Sequence, residues 1–141
     1  DLRCASMAAS FAVPEVTLGT ICGAGGTQRL PRLIGETRAK EMLYTGREIT
    51  AETAREWGLV NGVFTAGSLL EETLNLAEEI ARNSPYAVTR AKRSVNGGRE
   101  MLLEEALEWE RSLFGECGES RDRKEGMTAF LEKRPRVFTG E

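Results

Sequence analysis

Asp1 to Met7 (DLRCASM) alternates between apolar and polar over a short range, which predicts a strand, and Phe11 to Val13 predicts a second short extended piece. The period then becomes that of a helix. Thr27 to Ile34 and Thr37 to Tyr44 predict helices, each followed by a glycine (Gly35, Gly46) suited to a left-handed stop. Thr50 can cap a third helix over AETAREW, ended by Gly58. Leu59 to Phe64 is apolar between Gly58 and Gly67 and predicts a short strand or extended connector.

From there the pattern is helical. Ser68 and Glu71 have capping-box spacing, and Leu70, Leu74, Ala77 and Ala81 recur on one face. Ser84-Pro85 reads as an N-cap with proline at the first helical position, opening a helix that stops near Gly97-Gly98. Leu102, Ala106, Trp109 and Leu113 form a further stripe. Gly115 to Gly118 predicts a break, and Asp122 to Lys133 a last helix stopped by Pro135. The expected class is α/β but mostly helical, with residues 1–64 mixed and 65–141 all helix. At most three strands are available, too few for an independent sheet covered on both faces.

Composition narrows the chemistry. The chain has 141 residues, net charge −3, 40% apolar and 29% charged residues. That suits one modest domain with no general attraction to nucleic acid or an anionic membrane. Clusters such as Arg90, Lys92, Arg93 and Arg121, Arg123, Lys124 lie among acids and read as solvated helix faces. No apolar run approaches the ~20 residues of a membrane span. Cys4, Cys22 and Cys117 lack any C-x-x-C spacing and read as reduced thiols, with Cys22 and Cys117 as packing or incidental residues. There is no histidine, so proton transfer falls to carboxylates, lysines or tyrosines, and no metal is expected. The chain opens without methionine, cap or turn, as if cut from something longer, and a cytoplasmic location, or a mitochondrial matrix one in a eukaryote, is expected.

The densest chemistry lies between Phe11 and Leu30. Glu15 follows a proline, and eight residues later a glycine cluster (Gly23, Gly25, Gly26) opens a helix. Taken alone, Glu15 reads as a solvated turn residue and the glycines as a tight turn. The cluster is neither a phosphate loop, since Thr27-Gln28-Arg29 follows in place of Gly-Lys-Ser/Thr, nor a G-x-G-x-x-G turn. Phe130 and Lys133 stand three apart on the last predicted helix and would share a face. Alone they read as a core ring and a cation complementing a helix C-terminus.

Together these stretches resemble the enoyl-CoA hydratase/isomerase (crotonase) family. Pro14-Glu15, Leu18-Gly19 and Gly25-Gly26-Thr27-Gln28-Arg29-Leu30 carry the likeness, with Thr45-Gly46, the run from Ala54 to Val60 and the run from Gly126 to Arg134. The resemblance implies the C-terminal part of the family's ββα spiral core over residues 1–64, carrying the catalytic Glu. It implies an α-helical trimerisation and CoA-contact subdomain over 65–141. Glu15 would then be the acid/base at the carbon next to a thioester carbonyl, and a backbone N–H near Gly23 would sit beside the reacting water or that carboxylate. Phe130 and Lys133, with Arg134 as helper, would reach the nucleotide end of CoA. The substrate would be an acyl-CoA of fatty-acid or related metabolism, with no prosthetic group, in a homotrimer or dimer of trimers. Hydratase is the preferred activity; an isomerase, another acyl-CoA enzyme of this fold, or a non-catalytic helical oligomerisation fragment are alternatives. The family's oxyanion donors and second glutamate would precede Asp1, so the chain alone is expected to be inactive.

Overall fold

A computed structural model describes every residue from Asp1 to Glu141 and divides the chain into two compact units, Asp1–Leu74 and Asn75–Glu141. In the first, strand β1 (Cys4–Ser6) lies parallel to β4 (Gly62–Phe64), with Cys4 opposite Gly62 and Ser6 opposite Phe64. Strand β2 (Ser10–Phe11) runs antiparallel to β3 (Ile49–Thr50). Arg3 extends the first pairing, accepting from the Asn61 N–H at 2.7 Å while its own N–H donates to Asn61 Oδ1 at 2.9 Å. Between the strands come a 3-10 turn (Pro14–Leu18), α1 (Gly26–Ile34), α2 (Glu36–Thr45) and α3 (Ala51–Glu56).

Small residues build this unit's core. Ala5, Ala51, Ala54 and Val60 form one buried group, and Ile34, Ala39 and Met42 another. Phe11, Ile49 and Leu59 pack against both and make the interior continuous. Ala39, Ala51 and Ala54 are completely enclosed, so helix backbone approaches strand backbone closely and any larger side chain there would overpack. Thr50 caps α3 as expected, its hydroxyl accepting from the Thr53 N–H at 3.2 Å, a device worth about 1 kcal/mol.

Helix α4 (Leu69–Ala81) starts differently from its expected capping box. The Ser68 hydroxyl pairs with Thr65 Oγ1 at 2.8 Å, and Thr65 Oγ1 accepts from the Ser68 N–H. The turn before the helix therefore takes up the polar groups. Leu70 and Leu74, placed on its apolar stripe, are exposed.

The second unit contains α5 (Pro85–Gly98), α6 (Leu103–Glu119) and α7 (Arg121–Glu132). Helices α5 and α6 run side by side in opposite directions: Arg93 O accepts from Trp109 Nε1 at 3.3 Å, and Arg90 meets Glu116 at 3.1 Å. Ser84 caps α5 through the Ala87 N–H at 3.1 Å, with Pro85 first in the helix. Three expectations fail here. Helix α6 continues unbroken through Gly115 and Gly118, because packing against α5 and burial of Leu113 outweigh a helix-interior glycine cost of about 0.5–1 kcal/mol each. Helix α7 ends at Glu132, and Lys133 turns left-handed at φ 54°. Phe130 and Lys133 thus do not share a helical face: the chain reverses between them, and Lys133 N–H donates to Phe130 O at 3.3 Å. Leu102, assigned to the α6 stripe, lies outside the helix and exposed.

The residues after α7 fold back along this unit. Arg134 grips Glu125 with both terminal nitrogens at 2.7 and 2.8 Å, and the Val137 N–H donates to Glu125 Oε1 at 2.9 Å. Asp122, only 2% exposed, accepts from Ser84 Oγ and from the N–H groups of Thr139 (2.8 Å) and Gly140 (3.1 Å). Burial alone would push the Asp122 carboxyl up, but those hydrogen bonds hold it below its ordinary value.

Candidate active site

Glu15 sits at the second position of the Pro14–Leu18 turn. Pro14 sets the entry, Thr17 Oγ1 donates to Pro14 O at 2.7 Å, and the Thr20 N–H donates to Glu15 O at 3.2 Å. A second segment holds the turn from behind. Gly46 ends α2 at φ 62°, and a Cβ there would lie 2.9 Å from Thr17 Cγ2 and 3.3 Å from Pro14 Cα. Only glycine meets both demands, so the end of α2 closes directly onto the backbone that carries Glu15.

The Glu15 side chain is partly buried, and its Oε2 atom is enclosed without a hydrogen-bond donor. Leaving a buried acceptor unsatisfied costs about 1–3 kcal/mol, and such groups in native proteins call for an explanation. Cys22 lies in the loop between this turn and α1. Burial first, then the charge of Glu15 and hydrogen bonding to it, push the Cys22 thiol up, so it stays a neutral S–H at ordinary pH. Cys22 is seated against the start of α1, where a Cβ at Gly26 would come within 3.0 Å of both Cys22 Cβ and Sγ. The bare backbone at Gly26 is what lets the thiol pack there.

Of the four residues singled out by sequence, the structure holds Glu15 and Gly23 in one loop system. Gly23 follows Cys22 directly, is exposed, and has open space where a side chain would go. Phe130 and Lys133 belong to the helical unit, both exposed, the ring at 79%. Arg134 is paired with Glu125 and Glu132. Cys22, read from sequence as a packing or incidental residue, is buried and packs against the Gly26 backbone at the start of α1. No group of three or more His, Cys, Asp or Glu side chains is gathered as a metal site would need.

The enoyl-CoA hydratase/isomerase family model matches residues 1–141, the whole chain. The chain belongs to this family. It is 47% identical over 138 residues to the mitochondrial enoyl-CoA hydratase of Pongo abelii, covering 98% of this chain and 48% of that protein. To the 2,3-dehydroadipyl-CoA hydratase of Escherichia coli it is 44% identical over 140 residues, 99% of this chain and 55% of the relative. The crystal structure of enoyl-CoA hydratase from Bacillus anthracis superposes with a TM-score of 0.96 at 46% identity, covering 100% of this chain and 55% of that one. The crotonase fold expected from sequence is therefore this chain's fold. The chain spans about half the length of the relatives it matches. The Glu15 turn and the loop through Gly23 that follows it both lie in the first unit.

Proposed function

We propose that this chain supplies the proton-transfer carboxylate of an enoyl-CoA hydratase. The observation that carries the reading is the enclosed, donor-free Oε2 of Glu15 on a turn braced by Gly46. Family membership and the hydratases among the relatives support it. In hydration of a trans-2-enoyl-CoA, the hydroxyl of water bonds to the β carbon and a proton bonds to the α carbon. Glu15 is the group that exchanges the α proton. A carboxylate oxygen without a competing donor is free to take and return it, a contribution typically worth 10²–10⁴-fold in rate. The open space at Gly23 leaves room for a ligand to approach the backbone there.

The same reading assigns the exposed Phe130 ring and Lys133 to the nucleotide end of CoA, a flat surface and a cation suited to adenine and phosphate. It also assigns the exposed apolar side chains of the helical unit, Phe114, Leu131 and Leu103 among them, to contacts with further copies of the chain. Joining the chain to the remaining part of the Bacillus anthracis hydratase gives a testable enzyme. Crotonyl-CoA hydration is expected, and Glu15→Gln should lower kcat at least ~10²-fold. Undiminished turnover in Glu15→Gln would reject the assignment. Conversion of a 3-enoyl-CoA to the 2-enoyl isomer without hydration would replace it with an isomerase.

A further inference from the structure

We propose that Glu125 is a positioning residue for CoA binding: by clamping Arg134 it holds the chain reversal that presents the Lys133 ammonium beside the Phe130 ring. The proposal rests on the assignment of Phe130 and Lys133 to the nucleotide end of CoA.

The backbone gives the first observation. Lys133 is the one non-glycine residue of the chain with a positive φ, at 54°. A Cβ in that conformation crowds the following carbonyl oxygen, so an unassisted lysine avoids it. Such a conformation persists only where the surroundings over-determine it, and residues of this kind gather at ligand clamps. The hydrogen bonds are those of a Schellman turn: the Lys133 N–H donates to Phe130 O at 3.3 Å and the Arg134 N–H to Ala129 O at 3.0 Å. Glycine is the usual occupant of the left-handed position, and here a cation stands in its place.

The second observation is what holds the turn. Glu125, two helical turns earlier on α7, accepts from both terminal nitrogens of Arg134 at 2.7 and 2.8 Å and from the Val137 N–H at 2.9 Å. The planar guanidinium fork fixes direction as well as distance, so the residue after Lys133 is tied back to the helix before it. Arg134 Nε also donates to Glu132 Oε2 at 2.7 Å. Both nearby carboxylates are thus occupied by Arg134, and no ion pair engages the exposed Lys133 ammonium. A cation whose acidic neighbours are already paired is left for an external anion, and the phosphates of CoA are that anion.

Two substrates separate positioning from a purely structural role. In the joined hydratase, crotonyl-CoA is compared with crotonyl-pantetheine, which carries the same thioester without the nucleotide. Glu125→Ala should raise KM for crotonyl-CoA about fivefold, with kcat and the constants for crotonyl-pantetheine within about twofold. Arg134→Lys keeps the charge and loses the fork, and should match Glu125→Ala. An unchanged KM in Glu125→Ala, or a lower one because the released Arg134 itself meets the phosphates, overturns the proposal. Equal losses with both substrates make Glu125 merely structural and also overturn it. In the 141-residue chain, trypsin cleavage after Lys133 should quicken about tenfold in Glu125→Ala, with cleavage after Arg47 unchanged. Unmoved cleavage shows a reversal held without Glu125, and overturns the proposal while the nucleotide assignment stands. An unaltered KM for crotonyl-CoA in Lys133→Ala would instead overturn that assignment, and this proposal with it.

Discussion

Replacing Asp122 by alanine should destabilise the helical unit by about 2–4 kcal/mol. The carboxylate accepts from Ser84 Oγ, Thr139 N–H and Gly140 N–H, and bonds to a charged acceptor contribute about 1.5–3 kcal/mol each. The full sum is not expected. Once the segment around Thr139 is released, its N–H groups can turn to water, whereas the buried Ser84 hydroxyl has less freedom to do so. Asp122 also lies in the first turn of α7, where a negative charge favours the helix by about 0.3–1 kcal/mol. Urea unfolding followed by Trp109 fluorescence, in a Trp57→Phe background, reports on this unit alone. The pH dependence gives a second reading. The folded carboxyl lies below its unfolded value of about 3.9, so its contribution is complete above that pH and is lost as pH falls through the folded value. Asp122→Asn should lose stability at neutral pH and show a shallower decline on acidification. A loss under about 0.5 kcal/mol in Asp122→Ala, or identical acid profiles for wild type and Asp122→Asn, would refute the reasoning.

Gly46→Ala should cost about 1–3 kcal/mol in unfolding experiments on the first unit, since it combines a left-handed backbone with a clash against Thr17. Near-normal stability would mean the Glu15 turn is not braced there. The Glu125 carboxyl, drawn down to about 2 chiefly by the Arg134 hydrogen bonds, should titrate near that pH by carbon NMR and return toward the ordinary carboxylate range in Arg134→Ala. Because the folded value is the lower one, any stability it contributes is present above about pH 4 and lost on further acidification. Gly115→Ala should raise helical-unit stability by about 0.5–1 kcal/mol, because a Cβ there meets nothing within 4 Å; a decrease would show that the position has a steric role.

What could be read from sequence was mainly what is local. The Thr50 and Ser84 caps and the left-handed glycine stop after α2 depend on residues within one turn and form as expected, whereas Gly35 ends α1 at φ 85° and ψ 155°, outside the left-handed helical region. The motif around Glu15 identified the family for the same reason: its residues are contiguous. Local signals failed where distant partners decide. Glycines at 115 and 118 suggest a break only until α5 lies alongside. Lys133 looks helical because a left-handed lysine is uncommon, and the fold-back to Glu125 depends on residues eight or more positions away. Asp122 marked only the start of the last predicted helix, its buried role depending on Ser84 38 positions earlier.

The parallel pairing of β1 with β4 has a consequence for the order of events as the chain folds. Partners there, such as Arg3 and Asn61, are 58 positions apart, and the Glu15 turn lies inside the loop they close. Such a closure carries a large entropic cost before any strand contact compensates it, while the α5–α6 hairpin can zip up from its own short connection. The helical half should therefore acquire its amide-exchange protection early and the Glu15 turn late, so that a full-length chain refolding from denaturant would carry structured helices well before it carries a formed acidic site.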